Sequence, residues 1–189
     1  MNNSNNNHIF DIYNIEEQLH EDGYKRICGC DEAGRGPMAG PLVVAGCILP
    51  EGLKIPYLND SKKVSPKKRE ELFNYIKDVA ISYHIEIISV SDVDRMDVYH
   101  ASQIGMETII NKLDCDYALT DAMKVDVNIP YMSIIKGDSK SASIAAASIL
   151  AKVTRDHYME ELDKEGQASQ RNPMTKVYKI VDGLKEYLE

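Results

Sequence analysis

No apolar run in this 189-residue sequence approaches the roughly 18 to 20 residues that a bilayer-spanning helix needs. The amino terminus has neither the basic region nor the apolar core of a targeting signal. Met1 to Asn7 is instead an asparagine-rich polar tract that reads as disordered, and the expected compartment is the cytoplasm, with no membrane partner. A basic excess is missing too: 22 Lys and Arg stand against 30 Asp and Glu, a formal charge of −8. That argues against a protein that holds nucleic acid by bulk electrostatics, but not against an enzyme that meets phosphates through metal ions and a local basic patch. Cysteines are few, at Cys28, Cys30, Cys47 and Cys115. Three lie in or beside apolar strand-like segments, and Cys-Gly-Cys is too tight for the usual zinc pairs, so they read as core thiols. Neither Gly-x-x-x-x-Gly-Lys-Ser/Thr nor Gly-x-Gly-x-x-Gly opens a helix, which disfavours a nucleotide-binding phosphotransfer protein.

What the sequence does have is a 43% hydrophobic composition, enough for one compact domain, and one stretch around which the rest is organised. From Ile27 to Leu49 an apolar run leads into Asp31 and Glu32, then Gly34-Arg35-Gly36-Pro37, then a second apolar run from Leu42. This is a strand, an acidic turn and a strand. Neighbouring side chains of an unbroken strand face opposite ways, so the two carboxylates serve one site only if the backbone leaves the strand between them. The glycines and proline that follow permit that turn. An acidic pair by itself is most often a solvated turn. Glycines and an arginine pressed between two apolar strands favour close approach to a phosphate instead, and Mg²⁺ takes one or two carboxylates while leaving its other positions to water and phosphate.

Further along, Asn14 with Glu17 reads as the N-cap of a short helix carrying Ile15 and Leu19. Asp60-Ser61-Lys62-Lys63 precedes Ser65-Pro66, a helix start followed by Leu72, Phe73, Ile76 and Val79 at helical spacing. Lys62, Lys63, Lys67, Lys68 and Arg69 thus crowd a helix N-terminus, where anions are attracted. Ile81, Tyr83, Ile85 and Ile87 alternate with polar residues, the pattern of a strand with one buried face. A helix from Val98 to Leu113 presents Ala101, Ile104, Gly105, Thr108 and Ile109, with Gln103 and Met106 on other faces. Cys115 to Asp121 and Met132 to Lys136 read as strands, each delivering a carboxylate at or just past its end, Asp121 and Asp138. The helix from Ile144 to Val153 is small-residued nearly all round and must be packed closely. Arg155, Asp156 and His157 on its later turns share no single face and read as structural or surface groups. The order of elements gives an α/β domain with a mixed central sheet flanked by helices.

Taken together, Asp31 to Pro37, Asp60-Ser61-Lys62-Lys63, and Lys136-Gly137-Asp138 leading into Ser143 to Asp156 resemble the bacterial ribonuclease HII family over roughly residues 24 to 165. The resemblance implies a ribonuclease H-like fold. It also implies an endonuclease, expected to be a monomer, that cuts the RNA strand of RNA–DNA hybrids and incises 5′ to ribonucleotides embedded in duplex DNA. It implies catalytic and metal-binding roles for Asp31, Glu32, Asp121 and Asp138, with two Mg²⁺ or Mn²⁺ ions, roughly 3.5 to 4 Å apart, in the presence of substrate. Gly34, Arg35 and Gly36 would sense the ribonucleotide through backbone groups near its 2′-hydroxyl, and Ser61, Lys62 and Lys63 would contact substrate. Four converging carboxylates repel one another, so some are expected to hold their protons unusually tightly. The division that follows is a polar tail and short helix over 1–23, the catalytic domain over 24–165, and a divergent or truncated tail over 166–189. The family's Lys-Gly-Tyr-Gly-Thr segment has no counterpart in that tail, and Tyr178 lacks the flanking glycines. The competing reading is a metal-binding, hybrid-recognising domain with weak or no catalysis; a purely structural protein leaves the strand-end carboxylates unexplained.

Overall fold

A computed structural model describes residues 11–36, 40–59 and 61–169, with side chains described up to residue 164. The expected N-terminal disorder, Pro37, Asp60, and the tail beyond residue 169 with Tyr178 lie outside the described residues.

Apolar residues two apart build the centre of the molecule. Strand β1 (Ile27–Ala33) pairs antiparallel with β2 (Leu42–Ile48), Cys28 facing Ile48 at one end and Ala33 facing Val43 at the other. On the opposite flank β1 runs parallel to β4 (Tyr117–Asp121), which runs parallel to β5 (Tyr131–Ile134). Strand β3 (Ser82–Ile88) closes the far edge, antiparallel to β2, for an order β3-β2-β1-β4-β5. Because β1, β4 and β5 share a direction, their carboxyl ends open on one edge of the sheet, where α/β proteins place their ligands.

Alternation assigns each face its cover. Val43, Ala45 and Cys47 join the apolar cluster of α2 (Pro66–Val79) and α5 (Ala142–Ser169), which supplies Ala145, Ala146, Ile149 and Leu150. Leu42, Val44, Ile48, Cys28 and Cys30 join the cluster of α4 (Val98–Lys112) on the opposite face. The small residues of α5 serve one contact above all. A Cβ built at Gly29 would lie 2.1 Å from the Ser143 carbonyl carbon and 2.3 Å from the Ile144 nitrogen, so β1 and the first turn of α5 touch backbone to backbone. All four cysteines are buried free thiols, as core residues should be, and burial pushes the Cys47 thiol up to about 12.

Local details depart from the sequence pattern in several places. Helix α1 (Asn14–Glu21) has Tyr13 at its N-cap, not Asn14, with no side-chain cap bond; Asp11 instead accepts from the Tyr13 N–H at 3.1 Å. The apolar alternation of β3 does form a strand, but none of its residues is buried, because an edge strand is less fully covered than a central one. Helix α4 is rotated relative to the expected face: Met106 is fully buried and Ile104 is 46% exposed. Helix α3 (Val90–Met96) is an added element, capped by Ser89 accepting from the Asp92 N–H at 3.1 Å, and Ser-x-x-Asp is its signature. Helix α1, which the sequence sets apart from the 24–165 unit, packs on it through the buried Leu19 and Glu16.

Candidate active site

The strand-end carboxylates converge. Asp31 near the end of β1, Asp121 closing β4 and Asp138 in the 3-10 turn Gly137–Ser139 each offer an oxygen within 4.8 Å of the other two. Register explains the first pair: Cys30 lies beside Thr120 in the parallel ladder, so one step further brings Asp31 beside Asp121. The third is delivered by the chain after β5, and the Gly137 N–H donates to Asp121 Oδ1 at 2.7 Å, tying turn to strand. Ala122 and Lys136, on either side of this junction, hold left-handed backbone (φ 49° and 57°) at non-glycine positions. Such strain, of about 1 to 2 kcal/mol per residue, concentrates where a fold must aim functional groups.

The turn expected between Asp31 and Glu32 does not exist. Strand β1 runs unbroken to Ala33, Asp31 facing Ala45 and Glu32 facing Val44 across the ladder. Asp31 shares the α5 face with Gly29, and Glu32 takes the face of Cys28 and Cys30. Glu32 is therefore outside the close trio, yet at the sheet's open edge it still feels the Asp121 charge. A strand end, unlike a strand middle, lets residues of both faces address one space.

The electrostatics is that of a site short of positive charge. Burial pushes the Asp31 carboxyl well above the usual carboxylate range, and the charges of Glu32 and Asp121 push it further; the Glu32 N–H, donating at 2.7 Å, and the Ser148 hydroxyl pull the other way. Burial likewise raises Glu32, against the opposing pull of Arg35 and Lys62. Glu32 Oε1 accepts from Arg35 Nη1 at 3.4 Å, while the buried Oε2 has no hydrogen-bond partner among the described residues. A buried, all-oxygen, self-repelling donor set with an orphaned carboxylate oxygen suits a hard divalent cation, so these residues can hold one.

Around the carboxylates lies a rim and behind them a support. Gly34, at φ 110°, and the exposed Arg35 and Gly36 continue from β1, and the Arg35 guanidinium lies 5.6 Å from the centre of the Tyr99 ring on α4. Lys62 and Lys63 are exposed. The Ser61 side chain is not part of this rim: it is 3% exposed, and its hydroxyl is hydrogen-bonded at 2.8 Å to that of Ser148, whose hydroxyl favours the ionised form of Asp31. The resemblance implies a substrate contact for Ser61; its buried side chain lies behind Asp31, beside Ser148. Arg69 belongs to the basic cluster by sequence, but in the fold it fastens the loop, donating to the carbonyls of Ser61 at 2.9 Å and Val64 at 3.1 Å while pairing with Asp156. Arg155 is buried and donates to the Pro41 carbonyl at 3.0 Å, and the exposed His157 meets Glu70 at 3.0 Å, so the Arg155-Asp156-His157 run divides between structural and surface groups. The parts of Ser148 and Tyr99 escape sequence reasoning, since neither stands in a pattern that separates support from surface.

The family model for Ribonuclease HII matches residues 28–173. A Ribonuclease HII of Bacillus mycoides (strain KBAB4) is 52% identical over 156 residues, covering 82% of this chain and 61% of that one. Among solved structures, ribonuclease H2 from Pyrococcus horikoshii OT3 superposes with a TM-score of 0.68 at 27% identity, covering 87% of this chain and 89% of that one. The RNase HII of Archaeoglobus fulgidus, solved in a complex with PCNA, superposes with 0.66 at 30% identity, covering 74% and 76%. The mixed sheet and flanking helices are thus a ribonuclease H-like fold. The chain spans 55 to 62% of the length of the curated relatives it matches. With the strand-end carboxylates and the glycine-rich turn all inside the matched region, the chain belongs to the ribonuclease HII family.

Proposed function

We propose that this chain is an endonuclease that hydrolyses the RNA strand of RNA–DNA hybrids and incises 5′ to ribonucleotides embedded in duplex DNA. The observation that carries the reading is the meeting of Asp31, Asp121 and Asp138, drawn from three separate segments of a family member, at the open edge of the sheet.

Asp31, Asp121 and Asp138, with Glu32 beside them, would hold two Mg²⁺ or Mn²⁺ ions. Such ions, when bound, supply a nucleophile at neutral pH and offset charge on the phosphate and the leaving oxygen. The chain's own work is positional. Asp31 and Asp121 are fixed by the ladder, Asp138 by the bond from Gly137 to Asp121, so the carboxylates are arranged before substrate arrives. Arg35, held between Glu32 and Tyr99, keeps the Gly34 to Gly36 backbone at the rim, where an N–H or carbonyl can meet a 2′-hydroxyl and tell RNA from DNA. Lys62 and Lys63 offer local positive charge to a substrate that a chain of net charge −8 would otherwise repel. Ser61 acts from behind, through Ser148 and Asp31.

The test is nicking of a duplex carrying one ribonucleotide, and of a continuous hybrid, with Mg²⁺, Mn²⁺ or chelator. Cleavage that needs the metal and disappears in Asp121→Asn is the expected result. Metal binding and duplex binding without cleavage by the parent chain would refute the nuclease and leave a recognition domain.

A further inference from the structure

We propose that Glu16, on helix α1, is a positioning residue for Asp138: it clamps the first turn of α5 and so fixes the turn that carries Asp138. The inference rests on the metal-site reading of Asp31, Asp121 and Asp138.

Glu16 is 9% exposed, a burial that costs a carboxylate dearly unless hydrogen bonds offset it. One oxygen receives nearly all of that compensation. Oε1 accepts from the Ser141 hydroxyl at 2.5 Å, the Ser143 hydroxyl at 2.6 Å and the Ser143 N–H at 2.8 Å, while the buried Oε2 has no partner among the described residues. Bonds to an ionised acceptor are about twice as strong as neutral ones, and the start of a long helix adds its own attraction for negative charge.

These bonds continue to the site. The Ser141 N–H donates to the Gly137 carbonyl at 2.8 Å, and the Gly137 N–H donates to Asp121 Oδ1 at 2.7 Å. The chain Glu16, Ser141, Gly137, Asp121 therefore brackets Asp138 on both sides. The same Ser143 whose N–H Glu16 takes is the residue against which Gly29 packs, two positions before Asp31. Glu16 thus presses one turn of helix against the strand that bears Asp31. The carboxylate satisfies three donors at the start of α5 that an apolar side chain would leave buried and unpaired.

The experiment compares the full chain with Glu16→Ala, Glu16→Gln, Ser141→Ala and Tyr13→Phe. It reads Mn²⁺ affinity by electron paramagnetic resonance, metal-free thermal stability, and kcat and KM for nicking. Tyr13→Phe removes the bonds between the start of α1 and Ile55 without touching the first turn of α5. Glu16→Ala should weaken Mn²⁺ binding about tenfold or more, the usual effect of removing a group that orients a ligand, and lower kcat with KM little changed. Glu16→Gln keeps an accepting oxygen and should recover most of the loss. Ser141→Ala should weaken binding several-fold, and it remains informative if Glu16→Ala does not fold. Tyr13→Phe should lower stability with Mn²⁺ affinity unchanged. Unchanged affinity in Glu16→Ala or Ser141→Ala, or an equal loss in Tyr13→Phe, would overturn the inference while leaving the metal site standing. A folded parent chain that binds no Mn²⁺ would overturn the metal-site reading and this inference with it.

Discussion

Adding a single methyl group at Gly29 should damage both the fold and the site, and the size of the damage follows from the contacts. An alanine Cβ would sit 2.1 Å from the Ser143 carbonyl carbon, 2.3 Å from the Ile144 nitrogen and 2.5 Å from the Ser143 oxygen. Ordinary contact begins at 3.4 Å, so the two backbones must separate by 3.4 − 2.1 = 1.3 Å. All three atoms are main chain and cannot rotate aside. Overpacking of this kind costs about 1 to 3 kcal/mol, and the upper end applies where backbone meets backbone. For a domain of this size each kcal/mol lowers Tm by about 2 to 4 °C, so Gly29→Ala should melt roughly 6 to 12 °C below the parent. The displaced turn also carries Asp138 away from Asp31, and a misplacement of about 1 Å can cost on the order of 100-fold in rate. Thermal unfolding followed by circular dichroism, without metal, and single-turnover nicking measure the two effects. Gly36→Ala is the control for stability, since a Cβ there meets nothing within 4 Å. A Gly29→Ala protein with a Tm within about 2 °C of the parent and nicking within about threefold would refute the close approach and its role.

Asp31→Asn should stabilise the metal-free protein at pH 8. Burial, Glu32 and Asp121 raise the folded carboxyl above its unfolded value, so its contribution is full below about pH 4 and is lost as pH rises through the raised folded pKa. The advantage, about 1.4 kcal/mol for each unit of that rise, should shrink toward pH 4 in urea unfolding, and a pH-independent difference would contradict the assignment. Mn²⁺ at about 100 times its Kd should add about 2.7 kcal/mol of stability, read as a Tm increase that vanishes in an Asp121→Asn, Asp138→Asn double variant. Arg155→Ala should cost about 2 kcal/mol by removing the charged donor to Pro41 and the packing beneath Gly34 and Gly40, and limited proteolysis should then cut between residues 34 and 41.

An apolar run that stops at a carboxylate is legible as a strand end at Asp121, whereas β1 continues two residues past Asp31. Equally legible are the start of α2 at Ser65-Pro66 and the tight seating of α5, whose small side chains let a neighbouring backbone come close. Periodicity says which residues share a face, not how well that face is covered. Tyr83 and Ile87 share a face of β3 and remain exposed because β3 ends the sheet. Met106 belongs to the buried side of α4, but the helix's apolar residues run too far round it for sequence to fix the angle. Glu32 escapes a rule that holds in strand interiors and relaxes at their tips. The burial of Glu16 and of Ser61 leaves no sequence signal, because a buried polar residue and a surface one differ only in partners more than 80 positions away.

The parallel pairing of β1 with β4, and the seating of α5 on β1, set a timetable for biosynthesis. Asp138 leaves the ribosome 138 − 31 = 107 residues after Asp31, and Gly29 has no covering helix until α5 follows. At about 5 to 20 residues per second the interval is roughly 5 to 20 s. Through that interval the nascent chain cannot gather its third carboxylate, so the acidic pocket comes into being only once β5 and α5 have emerged.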